Sequence, residues 1–283
     1  MQLHGPKCYP EPRRLQFRRS RVTIRTVVNP APIPAPIASI VVPTFQEAAV
    51  IANFIRRLDG VREKSGLDFE LIIVDDDSPD GTAAAAHALE APWVHVIERR
   101  APRSLAGAVL DGFAHARADT LLVMDADLTH PPSAIPELIA AIRSGAQMAI
   151  GSRYAEGGTT DIHWPWMRRV ASTAATLLVR PLVHTTDPLS GFFAIRREVL
   201  IAAGPIHAQG FKIGLELMVR ARVRKPVDVP ITFTDRAAGL SKASSREAWR
   251  FLAQIVRLYM LTLGRALGLN VPRSSSADTK GDA

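Results

Sequence analysis

Two carboxylates one residue apart, Asp125 and Asp127, follow the apolar run Leu121-Leu122-Val123-Met124. A short continuous apolar run bounded by turn residues is the pattern of a buried strand. Such a strand would deliver both carboxylates to its carboxyl end. Pro131 and Pro132 then stop the strand and suit the first turn of a helix. Like charges this close repel one another unless a cation lies between them. A hard divalent ion such as Mg²⁺ or Mn²⁺ takes oxygen ligands and bridges a carboxylate to substrate phosphates. The chemistry open to Asp125 and Asp127 is therefore to hold a divalent metal against a diphosphate. The plain alternative is a solvated acidic turn, and Asp-x-Asp alone does not decide between them.

Two more polar clusters end apolar segments in the same way. Pro43-Thr44-Phe45-Gln46-Glu47 follows Ile37–Val42, and Asp75-Asp76-Asp77 follows Phe69–Val74. Together they would form the walls of a nucleotide pocket, with Phe45 packing on a base or ribose and Asp76 accepting hydrogen bonds from its donors. Glu47 would equally suit the first turn of a helix, where the macrodipole favours an acid. Three successive aspartates exceed what one turn and one helix cap require. His130 reads as a turn residue rather than a ligand, and no Ser–His–Asp arrangement is apparent.

The elements that must position these residues alternate. Strands are predicted over Ile37–Val42, Phe69–Val74, Trp93–Ile97, Thr120–Met124 and Gln147–Ile150. Helices are predicted between them over Glu47–Leu58, Thr82–Leu89, Ser104–Ala116 and Ser133–Ser144. This is the pattern of an α/β protein with a doubly wound, mostly parallel sheet and right-handed crossovers. Open sheets of that kind bind ligands at the carboxyl ends of their strands, where the polar clusters would gather. Beyond Gly151-Ser152-Arg153-Tyr154 the alternation loosens. Met167–Leu182, Lys212–Val223 and the long Ala243–Leu269 are expected as helices, with strands at Gly191–Ile195 and Val227–Thr234.

Composition narrows the class. The chain has 283 residues, 47% of them apolar, a net charge of +8 and a pI near 10.2. That charge calls for an anionic partner. Nucleic acid is set aside: there is no zinc spacing or ribonucleoprotein aromatic motif, and the basic residues sit in tails. The single cysteine, Cys8, excludes a disulfide framework and points to a reducing compartment. Neither a signal-peptide h-region nor a membrane-spanning apolar run is found. Residues 1–37 form a basic, proline-rich tail expected to be disordered, either without function or drawn to anionic lipid.

Four segments, Val41-Val-Pro-Thr-Phe-Gln-Glu47, Val74-Asp-Asp-Asp-Ser-Pro-Asp-Gly81, Met124-Asp-Ala-Asp-Leu-Thr-His-Pro-Pro132 and Gly151-Ser-Arg-Tyr154, resemble the family-2 inverting glycosyltransferases. Trp164-Pro-Trp-Met-Arg168, Asp187-Pro-Leu-Ser-Gly-Phe-Phe193, Gly210-Phe-Lys212 and Val229-Pro-Ile-Thr-Phe233 with Arg236, Ser241 and Lys242 are similar to the dolichol-phosphate (polyprenol-phosphate) mannose synthases. The resemblance covers about residues 38–265 and implies a nucleotide-diphospho-sugar transferase (GT-A type) fold. By resemblance, Pro43, Phe45, Glu47, Val74 and Asp76 line the nucleotide. Asp125, Ala126, Asp127 and Thr129 hold the diphosphate metal, with Asp125, Asp127 and Thr129 as its ligands. Asp127, Arg153 and Arg168 carry the transfer, while Arg236 and Lys242, with Arg153, meet donor and acceptor phosphates. Arg103 stands at a family lysine, and Arg103-Ser-Leu-Ala-Gly107 departs from the usual Lys-x-Gly-Leu-Gly. Thr129 replaces the glutamine of the archaeal type.

The implied activity is transfer of mannose from GDP-mannose to polyprenyl phosphate, with inversion and with Mg²⁺ or Mn²⁺. The rival is glucose or an amino sugar from a UDP donor. The expected organisation is a catalytic domain over 38–242, an amphipathic helix over 243–270 and a disordered tail over 271–283. In that helix, at 3.6 residues per turn, Arg246, Arg250, Arg257 and Arg265 fall within about 100°. Trp249, Leu252, Ile255, Val256, Tyr259 and Leu263 lie opposite. The helix either lies on a membrane surface, placing the enzyme on the cytosolic face, or packs on the domain, or both.

Overall fold

The structure, a computed structural model, describes residues 35–160, 166–206, 212–223, 225–233 and 245–268. Arg236, Lys242, Trp164 and most of both expected tails lie outside these residues, as does the side chain of Arg168. Strands β1 (Ala38–Thr44), β2 (Phe69–Asp75), β3 (Val94–Glu98), β4 (Thr120–Val123) and β5 (Met148–Ser152) lie in one sheet with β7 (Phe193–Arg196) and β8 (Val227–Pro230). Their order is β3-β2-β1-β4-β7-β5-β8. A small second sheet pairs β6 (Thr159–Thr160) with β9 (Thr232–Phe233).

Strand periodicity divides the apolar residues between two cores. Val41, Ile72, Val74, Leu121 and Val123 face one. Ile40, Val42, Leu71, Ile73 and Leu122 face the other. A sheet buried on both faces needs apolar side chains at odd and even positions alike, which is why these strands read as continuous runs. The second core is closed by α1 (Ala48–Ser65) and α4 (Ile135–Arg143). The first is closed by α3 (Leu105–His115), α7 (Ile213–Ala221) and α8 (Ser245–Ala266), among others. Helices α2 (Thr82–His87), α5 (Trp166–Val179) and α6 (Arg197–Ala203) complete the chain.

Three expectations are corrected. Strand β1 runs through Pro43 to Thr44. Val41 O accepts from Met124 N, and Thr44 O from Asp76 N, so alternate residues face opposite neighbours. Pro43 therefore faces the β4 side, beyond the last paired residues Val41 and Val123, where no ladder bond needs its missing N–H. Helix α1 continues to Ser65 and ends on Gly66, whose φ of 65° supplies the left-handed cap. The expected Val227–Thr234 strand splits into β8 and β9 around Ile231.

The reversed strand matters most. β7 pairs antiparallel with both β4 and β5. It therefore enters the sheet from the edge where the parallel strands end. Its lead-in, residues 187–191, lies beside Asp125 on one side and Arg153 on the other.

Candidate active site

The acidic pair sits on a turn that spends its polar groups locally. Asp127 Oδ1 accepts from Thr129 N at 3.1 Å and from Thr129 Oγ1 at 2.7 Å. Leu128, at φ 61°, makes the reversal between them. Asp125 N donates to His130 Nδ1 at 3.2 Å. The His130 ring stacks on Phe192, with centroids 5.1 Å apart, and meets Phe233 edge-on. Burial lowers the His130 pKa, and Arg153 and Lys212 lower it further, against the charges of Asp125 and Asp127. The neutral ring, accepting at Nδ1, holds its proton on Nε2. Although Nδ1 lies 3.8 Å from Asp125 Oδ2, the pair is thus not an ion pair. His130 is a buried turn support.

Among the described residues, no group of three or more His, Cys, Asp or Glu side chains could hold a metal ion. The protein offers two carboxylates and one hydroxyl, which already donates to Asp127. That set fits Mg²⁺ or Mn²⁺, which needs one or two carboxylates and takes its remaining ligands from substrate oxygens and water. Gly191 lies so close that a Cβ there would approach Asp125 Oδ2 to 3.8 Å.

The other wall is built on Asp76. Its Oδ1 accepts from Arg99 Nη1 at 2.8 Å, and its Oδ2 from Ser104 N at 2.9 Å. Arg99 also reaches Asp111 at 2.6 Å and Pro102 O at 2.9 Å. The Asp76 bond, with Asp111, raises the Arg99 pKa despite burial. An ionised carboxylate has about four acceptor sites, so Asp76 can accept from a ligand while these two bonds fix it. A Cβ on Gly107 would come within 2.5 Å of Arg99 Nη2. The departure Arg103-Ser-Leu-Ala-Gly107 thus keeps a glycine where Arg99 crosses α3. Ser104 caps that helix, its Oγ accepting from Gly107 N. Arg103 lies over the Phe45 ring, 4.1 Å from its centroid, a cation–π contact.

The remaining residues of this wall divide. Asp75 is a turn residue, accepting from Thr44 Oγ1, Ser78 N and Ser78 Oγ. Asp77 is exposed at φ 55°. Asp80 ties two helix starts together, accepting from Ala48 N and Thr82. Glu47 is the residue before α1, and its N–H donates to Thr82 Oγ1. The Val74 side chain is in the core, so it can meet a ligand only through its backbone. Ala126 is likewise buried in the second core.

The cationic side is organised by a residue not singled out as a site residue from sequence. Asp187, wholly buried, takes a bidentate pair from Arg153, with Nε at 2.7 Å and Nη2 at 2.9 Å. Arg153 N reaches the same carboxylate at 3.3 Å. Burial would depress the Arg153 pKa, but the bonds and charge of Asp187 raise it on balance. The guanidinium carbon lies 5.3 Å from the centroids of both Tyr154 and Phe233. Behind it, Thr185 and Thr186 bond Asp228, and Ser152 bonds Thr186. Lys212 was also missed. Its Nζ donates to Leu189 O at 2.8 Å, and burial, then Arg153, push its pKa down against Asp125 and Asp187. Its sequence signals are its place in the segment Gly210-Phe-Lys212 and before an apolar helix. For Arg99 the signal is a basic residue directly after β3.

On α8 the expected two faces become three. Ile255 and Leu258 are buried with Gln254, and Tyr259 donates to Leu178 O at 2.7 Å. Trp249, Leu252, Val256, Met260 and Leu263, with Leu267 just past the helix end, form an exposed apolar stripe on the opposite face. Arg250 and Arg257 are exposed, whereas Arg265 bonds Val219 O and Arg220 O at the end of α7. The apolar side predicted from sequence is thus split, because the helix packs on the domain and still presents an apolar face.

A mostly parallel sheet with one reversed strand, carrying an acidic pair at its carboxyl edge, defines the GT-A glycosyltransferase fold. A solved relative in fold is glucosyl-3-phosphoglycerate synthase of Mycobacterium tuberculosis, in complex with Mn²⁺, UDP and phosphoglyceric acid. It matches with TM-score 0.60 and 22% identity over 81% of this chain and 79% of that one. The profile of "Glycosyl transferase family 2" matches residues 39–203. The dolichol-phosphate mannosyltransferase of Pyrococcus furiosus is 41% identical over 78% of this chain and 63% of its own length. That of Saccharomyces cerevisiae is 39% identical over 80% and 88%. The chain belongs to glycosyl transferase family 2, and it is a glycosyltransferase.

Proposed function

We propose that the chain transfers mannose from GDP-mannose to the phosphate of a polyprenyl phosphate, inverting the anomeric carbon. The observation that carries this reading is that one segment, the lead-in of β7, carries the buried Arg153–Asp187 pair, receives Lys212 at Leu189 O and passes beside Asp125 at Gly191. A lipid monophosphate is already anionic near pH 7, its second pKa being about 6. It needs no strong base, only positioning and a matched charge. Arg153 holds that phosphate, with its direction set by Asp187. A phosphate oxygen forms the new bond to C1 while the C1–O bond to the nucleoside diphosphate breaks, and the electron pair leaves with the diphosphate. Asp125 and Asp127 would hold the divalent metal, with Thr129 orienting Asp127. A metal held there would supply charge neutralisation to the departing diphosphate. Phe45, Arg103, Glu47, Pro43 and Asp76 frame the nucleotide. By resemblance, Arg168, Arg236 and Lys242, which lie wholly or by their side chains outside the described residues, would complete the phosphate contacts.

The names of the relatives support the polyprenol acceptor and the mannosyl group. Among the described residues no helix is long and apolar enough to cross a membrane. The exposed stripe of α8, with Arg250 and Arg257, supports attachment to the cytosolic membrane surface, where apolar area and basic charge act together. A panel of radiolabelled nucleotide sugars with polyprenyl phosphate tests the reading. Label moving to lipid from GDP-mannose is the expected result. Transfer only from a UDP-sugar would overturn the donor, and no transfer to lipid would overturn the acceptor.

A further inference from the structure

Gln254 is buried to 1% exposure on the inner face of α8. Its Nε2 donates to Glu216 Oε2 at 3.2 Å and to Lys212 O at 3.4 Å. Both neighbours are acceptors, so the amide NH₂ must face them. Its Oε1 then has no hydrogen-bond partner among the described residues. A buried, unpaired carbonyl costs about 1–3 kcal/mol, and a leucine or methionine there would avoid it. Packing α8 on the domain does not require a glutamine.

The bonds that Gln254 makes lead to the site. Lys212 is the residue before α7. Its backbone carbonyl receives Gln254, while its Nζ holds Leu189 O. Leu189 belongs to the lead-in of β7, which carries Asp187 to Arg153 and Gly191 to the side of Asp125. Glu216, one turn along α7, is itself fixed by Arg220 at 2.9 Å. About three turns further along α8, Arg265 takes the last carbonyls of the same helix. Helix α8 therefore grips α7 at both ends, and only the Gln254 end touches the site. The opposite face of α8 is the exposed apolar stripe, with Trp249 73% exposed.

We propose that Gln254 is a positioning residue that couples the membrane-facing helix to the acceptor corner of the active site, through Lys212 and the lead-in of β7. This rests on the lipid-phosphate reading given above. Docking α8 on a membrane fixes the position of Gln254, and hence the backbone of Lys212.

Gln254→Met keeps the volume and removes both bonds. Arg265→Met removes the far grip and leaves Lys212 untouched. Each full-length variant is assayed with GDP-mannose and farnesyl phosphate on vesicles, with melting followed in parallel. Arg265→Met should lower Tm, whereas Gln254→Met, which also removes the unpaired carbonyl, should change it little. Only Gln254→Met should raise the acceptor KM, by about five- to tenfold for the loss of one effective bond, with the donor KM unmoved. If Gln254→Met does not fold, Gln254→Asn, which shortens the reach by one methylene, is read in the same way. Equal acceptor KM in the two variants, or a parallel rise in donor KM, would overturn the coupling. A wild-type protein that transfers nothing to farnesyl phosphate or longer polyprenyl phosphates would overturn the reading beneath it and the coupling with it.

Discussion

The sharpest perturbation is Asp187→Asn. The carboxylate is wholly buried and the Arg153 side chain is 14% exposed. Two charge-assisted bonds, at 2.7 and 2.9 Å, join them. Asparagine keeps one acceptor but turns an NH₂ towards an N–H of the guanidinium, and it leaves a buried cation without its counter-charge. A charge-assisted bond contributes about 1.5–3 kcal/mol, and loss of one partner of a buried pair costs about 3–5 kcal/mol. With one bond retained, about 3 kcal/mol is expected, or a Tm lower by about 6–12 °C for a domain of this size. If Arg153 also positions the acceptor phosphate, kcat/KM for polyprenyl phosphate should fall by about a hundredfold, with donor binding nearly unchanged. The double variant Arg153→Met, Asp187→Leu separates structure from function. Replacing a buried pair by apolar side chains of similar size is often neutral, so it should regain most of the lost Tm and none of the transfer. Calorimetry with steady-state kinetics on the three proteins decides. A double variant that transfers sugar normally would refute the role given to Arg153.

Three further outcomes are expected. Asp127→Ala should abolish transfer and metal-dependent donor binding measured by titration calorimetry, whereas Thr129→Val should cost about 1 kcal/mol, one hydrogen bond; equal inactivity would make the hydroxyl an essential ligand. Trp249→Glu with Val256→Glu should release the protein from anionic vesicles in sedimentation without lowering Tm, since both side chains are exposed; unchanged binding would remove the stripe from the interface. At the far edge of the sheet, burial pushes the Glu70 carboxyl up, but bonds from Ser39 and Arg117 outweigh it and hold it below its ordinary 4.5. A depressed pKa gives stability that is full above about pH 4.5 and lost as pH falls through the folded value, so Glu70→Gln should lower Tm at pH 7 and flatten the acid limb of a Tm–pH curve. A mutant curve parallel to wild type would contradict this.

The sequence by itself determined the frame of this protein. Alternating apolar runs and amphipathic stretches can bury their surfaces only as a sheet covered on both faces. Strand ends marked by Asp75–Asp77, Asp125–Asp127 and Arg153 had to lie at one edge, because parallel strands share a direction. His130 also reads from sequence as a turn residue, and its Nδ1 accepts from Asp125 N within the turn. Only the tertiary structure decided what each of these charges meets. Val74 is the last residue but one of β2, beside the acidic cluster, yet its alternation turns it into the core. Asp187 and Lys212 stand in segments that carry the family resemblance, and Arg99 follows a strand, but nothing local shows what each of them meets. Asp187 and Lys212 reach the site because β7 runs backwards between β4 and β5 and α7 starts beside its lead-in, whereas Arg99 reaches Asp76 from the end of β3. The same holds for α8, where a helical projection finds an apolar side but cannot find the neighbour that buries half of it. Local sequence sets the period and the ends of an element. The direction of a strand, and the partner that covers a face, follow from contacts between residues far apart in the chain.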